Sequence, residues 1–197
     1  MRKTRMLLLI MLITSASAQK YKVTHARAII SESNCYSFQV LPDWYIEEGN
    51  PAPLFFNFSP KKITSYKLGM PKGGAQISVV AGRDSSEHPA SIDQWIELRR
   101  RGHSFSSVED ILLPKNTGIT RAVKVLWTDE YEIMPVNIVT QSEAIFFDFN
   151  GHPFAIYLLF NSDDKRKDVY EKTLLTLLEG FRPLVNSQGA TKCVSSP

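Results

Sequence analysis

The sequence predicts an α+β domain: a mainly antiparallel β-sheet flanked by helices, an α/β/α sandwich. Three observations carry that expectation. Short runs of apolar residues with a two-residue period follow one another through brief connections, which favours antiparallel neighbours. Two well-separated segments, 91–101 and 163–180, carry apolar residues at helical spacing, so each can cover a face of a sheet. Between two aromatic-rich runs stands Asn150-Gly151, a dipeptide suited to the positive φ angles of a type I′ hairpin turn. With 197 residues, 43% hydrophobic and 22% charged, the chain has enough material for one sizeable core and reads neither as wholly disordered nor as a membrane bundle.

The first 18 residues are expected to lie outside the fold. Arg2, Lys3 and Arg5 precede the apolar run 6–13, and Ala16-Ser17-Ala18 puts small residues at −3 and −1, the pattern of a secretory signal peptide. The run is far shorter than the roughly 20 residues that cross a bilayer, although a retained N-terminal anchor is the alternative reading. No cysteine stands at the cleavage point, and Gln19 is the expected mature N-terminus. This segment holds three of the 23 basic residues and none of the 20 acidic ones, so the remainder is formally neutral. The net charge of +3 therefore belongs to the targeting segment and argues for neither a nucleic-acid nor an anionic-membrane partner.

Cys35 and Cys193 are the only cysteines. In an oxidising compartment they are most simply a disulfide, worth up to about 4–5 kcal/mol for so long a loop, provided the two backbones come close enough. A catalytic thiol is the alternative, but nothing in sequence around either residue is built to lower its pKa.

Segment 19–33 has weak periodicity and reads as an extended or frayed arm; the domain proper is expected over 34–184. Residues 35–40 alternate, with Tyr36, Phe38 and Val40 on one face, and Pro42-Asp43 breaks the run. Residues 54–58, between Pro53 and Pro60, and residues 76–81 read as further strands. Ser91 with Gln94 three positions on fits a helix capping box after the His88-Pro89 turn, and Ile92, Trp95, Ile96 and Arg99 share a face. The Arg99-Arg100-Arg101 run reads as a solvated, dipole-matched helix end with Glu97 pairing Arg101, or alternatively as an anion-binding patch.

Strands are then expected at 108–113, with a short helix from Ser107 competing, and at 120–128, where Val123, Val125 and Trp127 alternate with Ala122, Lys124 and Leu126. Asp129-Glu130-Tyr131-Glu132 reads as an acidic turn leading into 136–140. A two-residue loop at Asn150-Gly151 pairs Phe149 with His152, Phe147 with Phe154 and Ile145 with Ile156, while Phe146 and Tyr157 point the other way, so both faces need cover. Pro153, lacking an N–H, implies that no third strand needs a donor at that level. The last helix, 163–180, is expected to bury Val169, Tyr170, Leu174, Leu177, Leu178 and Phe181 and to stop before Pro183, leaving a flexible tail at 185–197.

Two stretches carry a resemblance. Tyr36-Ser37-Phe38-Gln39-Val40-Leu41-Pro42-Asp43-Trp44 is similar to the Y-x-F-x-x-P-x-x-W opening of the PsbP-like superfamily. The close, two apolar strands and a helix ending in Leu178-Glu179-Gly180-Phe181-Arg182, resembles that superfamily's hairpin, helix and S-F ending, with Gly180 in place of the serine. The resemblance, spanning roughly 34–183, implies the α/β/α sandwich and a non-enzymatic binding or assembly role. It supplies no functional motif, hence no site residue, and fold analogy alone implies neither photosynthesis nor Ran binding.

Templates for chemistry are absent from the sequence: there is no G-x-S-x-G, H-E-x-x-H, C-x-x-C or G-x-G-x-x-G. The segment 69–74 has the glycine spacing of a phosphate loop, but Ala75-Gln76 replaces the required Lys-Ser/Thr, so it reads as a turn. His25, His88, His103 and His152 show no paired ligand spacing and read as loop residues. The metal candidates are His88 and His103 converging with Asp129, or with Asp84 or Glu87. Asp129, Glu130 and Glu132 could seat Ca²⁺ but lack an EF-hand pattern. Trp44, Trp95 and Trp127 read as core, with an exposed binding platform as the alternative. The expectation is an exported binding or assembly module, periplasmic or extracellular, with no cofactor, whose partner is another envelope protein or a small ligand. The alternative is a small metal-dependent or hydrolytic envelope enzyme.

Overall fold

The computed structural model describes residues 22–23, 28–31, 35–39, 45–46, 56–59, 66–67, 70–71, 75–113, 115, 117–133 and 136–184. The strands are β1 (Lys22–Val23), β2 (Ala28–Ser31), β3 (Tyr36–Gln39), β4 (Tyr45–Ile46), β5 (Phe56–Ser59), β6 (Tyr66–Lys67), β7 (Met70–Pro71), β8 (Ala75–Ala81), β9 (Phe105–Asp110), β10 (Ile119–Ile133), β11 (Val136–Phe149), β12 (His152–Asn161) and β13 (Arg182–Pro183). Helix α1 spans Ile92–Arg100 and helix α2 spans Lys167–Gly180.

A seven-stranded sheet runs in the order β4-β5-β8-β12-β11-β10-β9, and a four-stranded sheet in the order β1-β2-β3-β13; the β6–β7 pair stands apart. Every adjacent pair in the large sheet is antiparallel. Because side chains alternate along each strand, the large sheet presents two apolar faces. One, with Ile77, Val79, Ile145, Phe147, Phe154, Ile156, Leu158 and Phe160, packs against Tyr170, Leu174, Leu177 and Leu178 of α2 and against Tyr36 and Phe38 of β3. The other, with Val80, Val123, Val125, Trp127, Phe146 and Ala155, receives Ile92, Trp95 and Ile96 of α1. This is the α/β/α sandwich expected from the sequence.

The β11–β12 hairpin has the expected register, Phe149↔His152, Phe147↔Phe154 and Ile145↔Ile156, about Asn150 and Gly151 at φ 50° and 78°. Strand β8 pairs with β12 only from Phe154↔Ala81 onward, so among the described residues no third strand lies at the level of Pro153. Segment 19–33 contributes β1 and β2, and β2 pairs with β3 through Ile29↔Phe38. Trp95 and Trp127 are buried; Trp44, His25, Cys193 and the tail at 185–197 lie outside the described residues.

Several elements differ from expectation. Residues 129–132 are not a turn: they prolong β10, with Asp129↔Thr140 and Glu130↔Val139, because the two long strands stay in register up to Ile133↔Val136. Cross-strand pairing of this kind outweighs the low strand propensity of the acidic residues. Strand β9 starts at Phe105, which pairs with Trp127, and excludes the competing helix at Ser107. Helix α2 begins at Lys167 because Asp164 folds the preceding turn, its Oδ1 accepting from Arg166 N at 2.9 Å and its Oδ2 from Tyr170 Oη at 3.0 Å. Val169 is 58% exposed, and Thr173 takes the buried position with its hydroxyl donating to Val169 O at 2.9 Å. Glu97 pairs with Arg100 at 3.6 Å rather than with Arg101.

The contrast between two glycines gives a test. A Cβ on Gly82 would stand 2.7 Å from Pro153 Cγ and 2.9 Å from Pro153 O, whereas one on Gly180 would meet nothing within 4 Å. Gly82→Ala is expected to destabilise by about 1–3 kcal/mol, since a proline ring and a backbone carbonyl cannot move aside cheaply. Gly180→Ala, at the helical end of α2, is expected to stabilise by about 0.5–1 kcal/mol. Urea denaturation of both variants measures the difference.

Candidate functional site at the C-terminal end of helix α1

The position of α1 is set at its start. Ser91 Oγ accepts from Gln94 N at 3.2 Å, and Gln94 Oε1 accepts from Ala90 N at 2.6 Å, so the expected Ser/Gln cap forms with the reciprocal bond one residue further back. With Ile92, Trp95 and Ile96 pressed into the sheet, the last turn sends Arg99 towards β12 and Arg100 towards β9. Arg99 Cζ lies 5.2 Å from the centre of the Tyr157 ring and Arg100 Cζ 5.5 Å from that of Phe105. The helix closes with Gly102 N and His103 N both donating to Arg99 O at 3.1 Å, which brings His103 onto the sheet.

On the β12 side, Arg99 Nε lies 3.4 Å from Glu87 Oε1. The Trp95 ring stands edge-on to Tyr157 with centroids 6.3 Å apart. Trp95 Nε1, Tyr157 Oη and Glu87 Oε2 are all buried without a hydrogen-bond partner. Burial pushes the Tyr157 hydroxyl well above the ordinary phenol range, and the adjacent Arg99 guanidinium offsets only part of the rise. Buried donors and acceptors without partners cost stability, so their concentration at one place is a feature the fold itself does not need.

On the β10 side, His103 Nδ1 lies 2.8 Å from Asp129 Oδ1, and Trp127 Nε1 donates to Asp129 Oδ2 at 2.9 Å. A carboxylate only accepts, so His103 Nδ1 carries the proton and, in the neutral ring, Nε2 keeps the lone pair. The His103 and Trp127 rings are 5.2 Å apart. This is a histidine oriented by a carboxylate that is itself anchored by an indole.

The structure thus joins two of the residues singled out from sequence, His103 and Asp129, and leaves the third apart. His88 is exposed and its Nδ1 donates to Arg83 O at 3.2 Å. Glu87 is committed to Arg99, and among the described residues no three His, Cys, Asp or Glu side chains converge to hold a metal. Asp129 and Glu130 are consecutive on β10 and therefore point to opposite faces, which rules out their joint coordination of Ca²⁺. His152 is exposed beside the hairpin turn. Cys35 is not a free thiol. Its carbonyl accepts from Leu184 N at 3.0 Å, tying the chain just beyond β13 to the start of β3.

Sequence reasoning missed the Glu87–Arg99–Tyr157 group, for which the arginine run was the one available signal. It also missed Glu143. This residue of β11 is 1% exposed on the α2 face, its carboxylate oxygens lack hydrogen-bond partners, and Lys124 Nζ stands 3.3 Å from Oε1. Burial raises the Glu143 carboxyl above the usual range, opposed by Lys124 and reinforced by Glu171 and Glu109.

Two outcomes follow. The folded state holds the Glu143 proton more tightly than the unfolded chain does, so folding stability falls as pH rises through the window between the ordinary and the raised value. Glu143→Gln, locked in the uncharged form, is expected to be the more stable protein at neutral pH, with the gap closing in acid; urea denaturation at both pH values measures it. Tyr157→Phe removes a buried hydroxyl that has no partner, so its stability is expected to match or exceed that of the wild type, within about 1 kcal/mol, in the same assay.

No protein-family model and no curated protein matches the chain. Solved structures do. A Bacteroides thetaiotaomicron protein is similar at 12% identity and TM-score 0.44, over 85% of this chain and 49% of that one, so the chain spans about half the length of that protein. The Ran-binding protein Mog1p of Saccharomyces cerevisiae is similar at 9% identity and TM-score 0.46, over 84% and 96%. Cyanobacterial PsbP (CyanoP) from Synechocystis sp. PCC 6803 is similar at 11% identity and TM-score 0.40, over 80% and 91%.

Proposed function

We propose that the protein is an exported binding or assembly module that holds a partner rather than turning over a substrate. Residues 1–18 act as the signal peptide, 34–184 form the single working domain behind the arm at 19–33, and the tail at 185–197 is fastened by a Cys35–Cys193 disulfide. The bridge is supported by Cys35 having no free thiol in a chain with one other cysteine. The protein works in the periplasmic or extracellular space, on an envelope protein or a small ligand. The formal neutrality of the chain after residue 18 gives no support to a nucleic-acid partner, and among the described residues no helix is long and apolar enough to cross a membrane.

The observation that carries the binding role is the group of buried, unpartnered polar atoms on Glu87, Trp95 and Tyr157 beside Arg99. It offers two donors, a phenol and an indole N–H, next to a carboxylate acceptor, buried polar groups whose missing hydrogen bonds a ligand admitted there would supply. The His103–Asp129 pair favours a second reading, a hydrolytic site with His103 as base.

Native mass spectrometry of the protein from its own exported fraction tests the proposal. The expected mass is that of residues 19–197 less two hydrogens, with a bound species that Tyr157→Phe loses while staying folded. A free thiol pair, or a bound species retained by Tyr157→Phe, would sink the corresponding part. Substrate hydrolysis abolished by His103→Ala would favour the second reading.

A further inference from the structure

Among the described residues the large sheet ends at β9. This strand pairs with β10 through Lys124↔Glu109 and Val125↔Val108, and in the strand order no described strand lies beyond it. Its backbone groups on the outer side are a template for another strand. The strand carries one exposed apolar side chain between its bulge and its acidic end. Val108, at the middle of the regular stretch, is 46% exposed on the α1 face, and Leu112 just beyond the strand is 96% exposed. The bulge that interrupts β9 falls at Ser106, where Leu126 pairs with Ser107 and Trp127 with Phe105, so residues 107–110 remain regular.

The charges on this edge are arranged by polarity. Its start carries Arg100, whose guanidinium lies over the Phe105 ring, followed by exposed Arg101. Its end carries exposed Glu109 and Asp110. A strand added antiparallel and bearing the same sequence meets this pattern with its own reversed.

The geometry points to a second copy of this chain as the occupant: two β9 strands pair antiparallel about a two-fold axis at Val108. Only a register that keeps faces matched continues the sheet, and this one does so, since residues directly opposite share a face. Val108 meets Val108 of the second copy, and Ser107 meets Glu109 of the second copy. The Arg100–Phe105 end lies alongside Asp110 of the second copy, giving two symmetric charge matches. Leu112 and Leu113 run on towards the Phe105 end of the other molecule, which covers their exposed surface. With so short a regular ladder the dimer is weak and forms with rising concentration. Symmetric pairing of one patch with itself closes the assembly at two copies.

Sedimentation equilibrium of residues 19–197 over a concentration series, with cysteine cross-linking, tests this. Val108→Cys is expected to give a covalent dimer on mild oxidation, because opposite Cα atoms in such a pair lie about 4.5–5.5 Å apart, within disulfide range. Leu112→Cys, more exposed but off the axis, is expected to cross-link far less. Arg100→Asp and Asp110→Arg should each weaken dimerisation at least tenfold, and the double swap should restore it. A wild type that stays monomeric throughout, equal cross-linking of the two cysteine variants, or a double swap no better than the single changes would overturn the proposal. None of these outcomes bears on the Tyr157 site, which lies on β12.

Discussion

The structure depends on where one ring is placed. Phe181 directly follows α2, is fully buried, and has Tyr36, Phe38, Phe147, Phe149 and Phe154 around it at centroid distances of 5.0 to 6.1 Å. Those five rings come from the small sheet and from both arms of the hairpin, so a single side chain joins α2, β3, β11 and β12. Its place is imposed by the backbone. Phe181 N donates to Leu178 O, and Arg182 and Pro183 then pair with Ser37 and Tyr36. Arg182 also turns its guanidinium back on the helix end, donating to Glu179 O and Phe181 O, where a cation is favoured. Aromatic contacts of this kind add about 0.5–1.5 kcal/mol per pair beyond the area buried.

The central strands spend both faces on packing, one against α2 and β3 and the other against α1. Among the described residues, buried polar atoms without partners stand at Glu143 and at the end of α1. At the end of α1, Glu87, Trp95 and Tyr157 keep unpartnered buried atoms, while the neighbouring His103–Asp129–Trp127 group is internally satisfied. The two lie either side of one helix terminus yet differ in kind. One is a set of buried groups whose polar atoms lack hydrogen-bond partners; the other holds a single imidazole in a fixed tautomer and orientation.

Glu143 belongs to neither. It sits on the α2 face with Lys124 as its cation, and its burial is a cost that attraction to Lys124 offsets only in part. Beyond it, the sheet runs out to β9, where Ser106, Val108, Glu109 and Asp110 are exposed. From α2 outward the sheet thus passes from dense aromatic packing, through an isolated buried charge pair, to an open edge.

What the sequence by itself determined was local. Asn150-Gly151 dictated the turn type, and a turn of known length combined with a two-residue period leaves one register for the hairpin, down to the idle position of Pro153. Ser91 and Gln94 announced the start of α1 in the same way, and the alternation of Tyr36 and Phe38 marked β3. Only the tertiary structure decided that β10 would run on through Asp129 and Glu130, that Thr173 and not Val169 would face the core, and that Arg182-Pro183 would add a strand to β3. It alone brought His103 to Asp129, 26 residues away, and Glu87 and Arg99 to Tyr157. Periodicity and turn chemistry act between residues a few positions apart. Partner choice between distant side chains is settled by which layers pack together, and no local pattern encodes it.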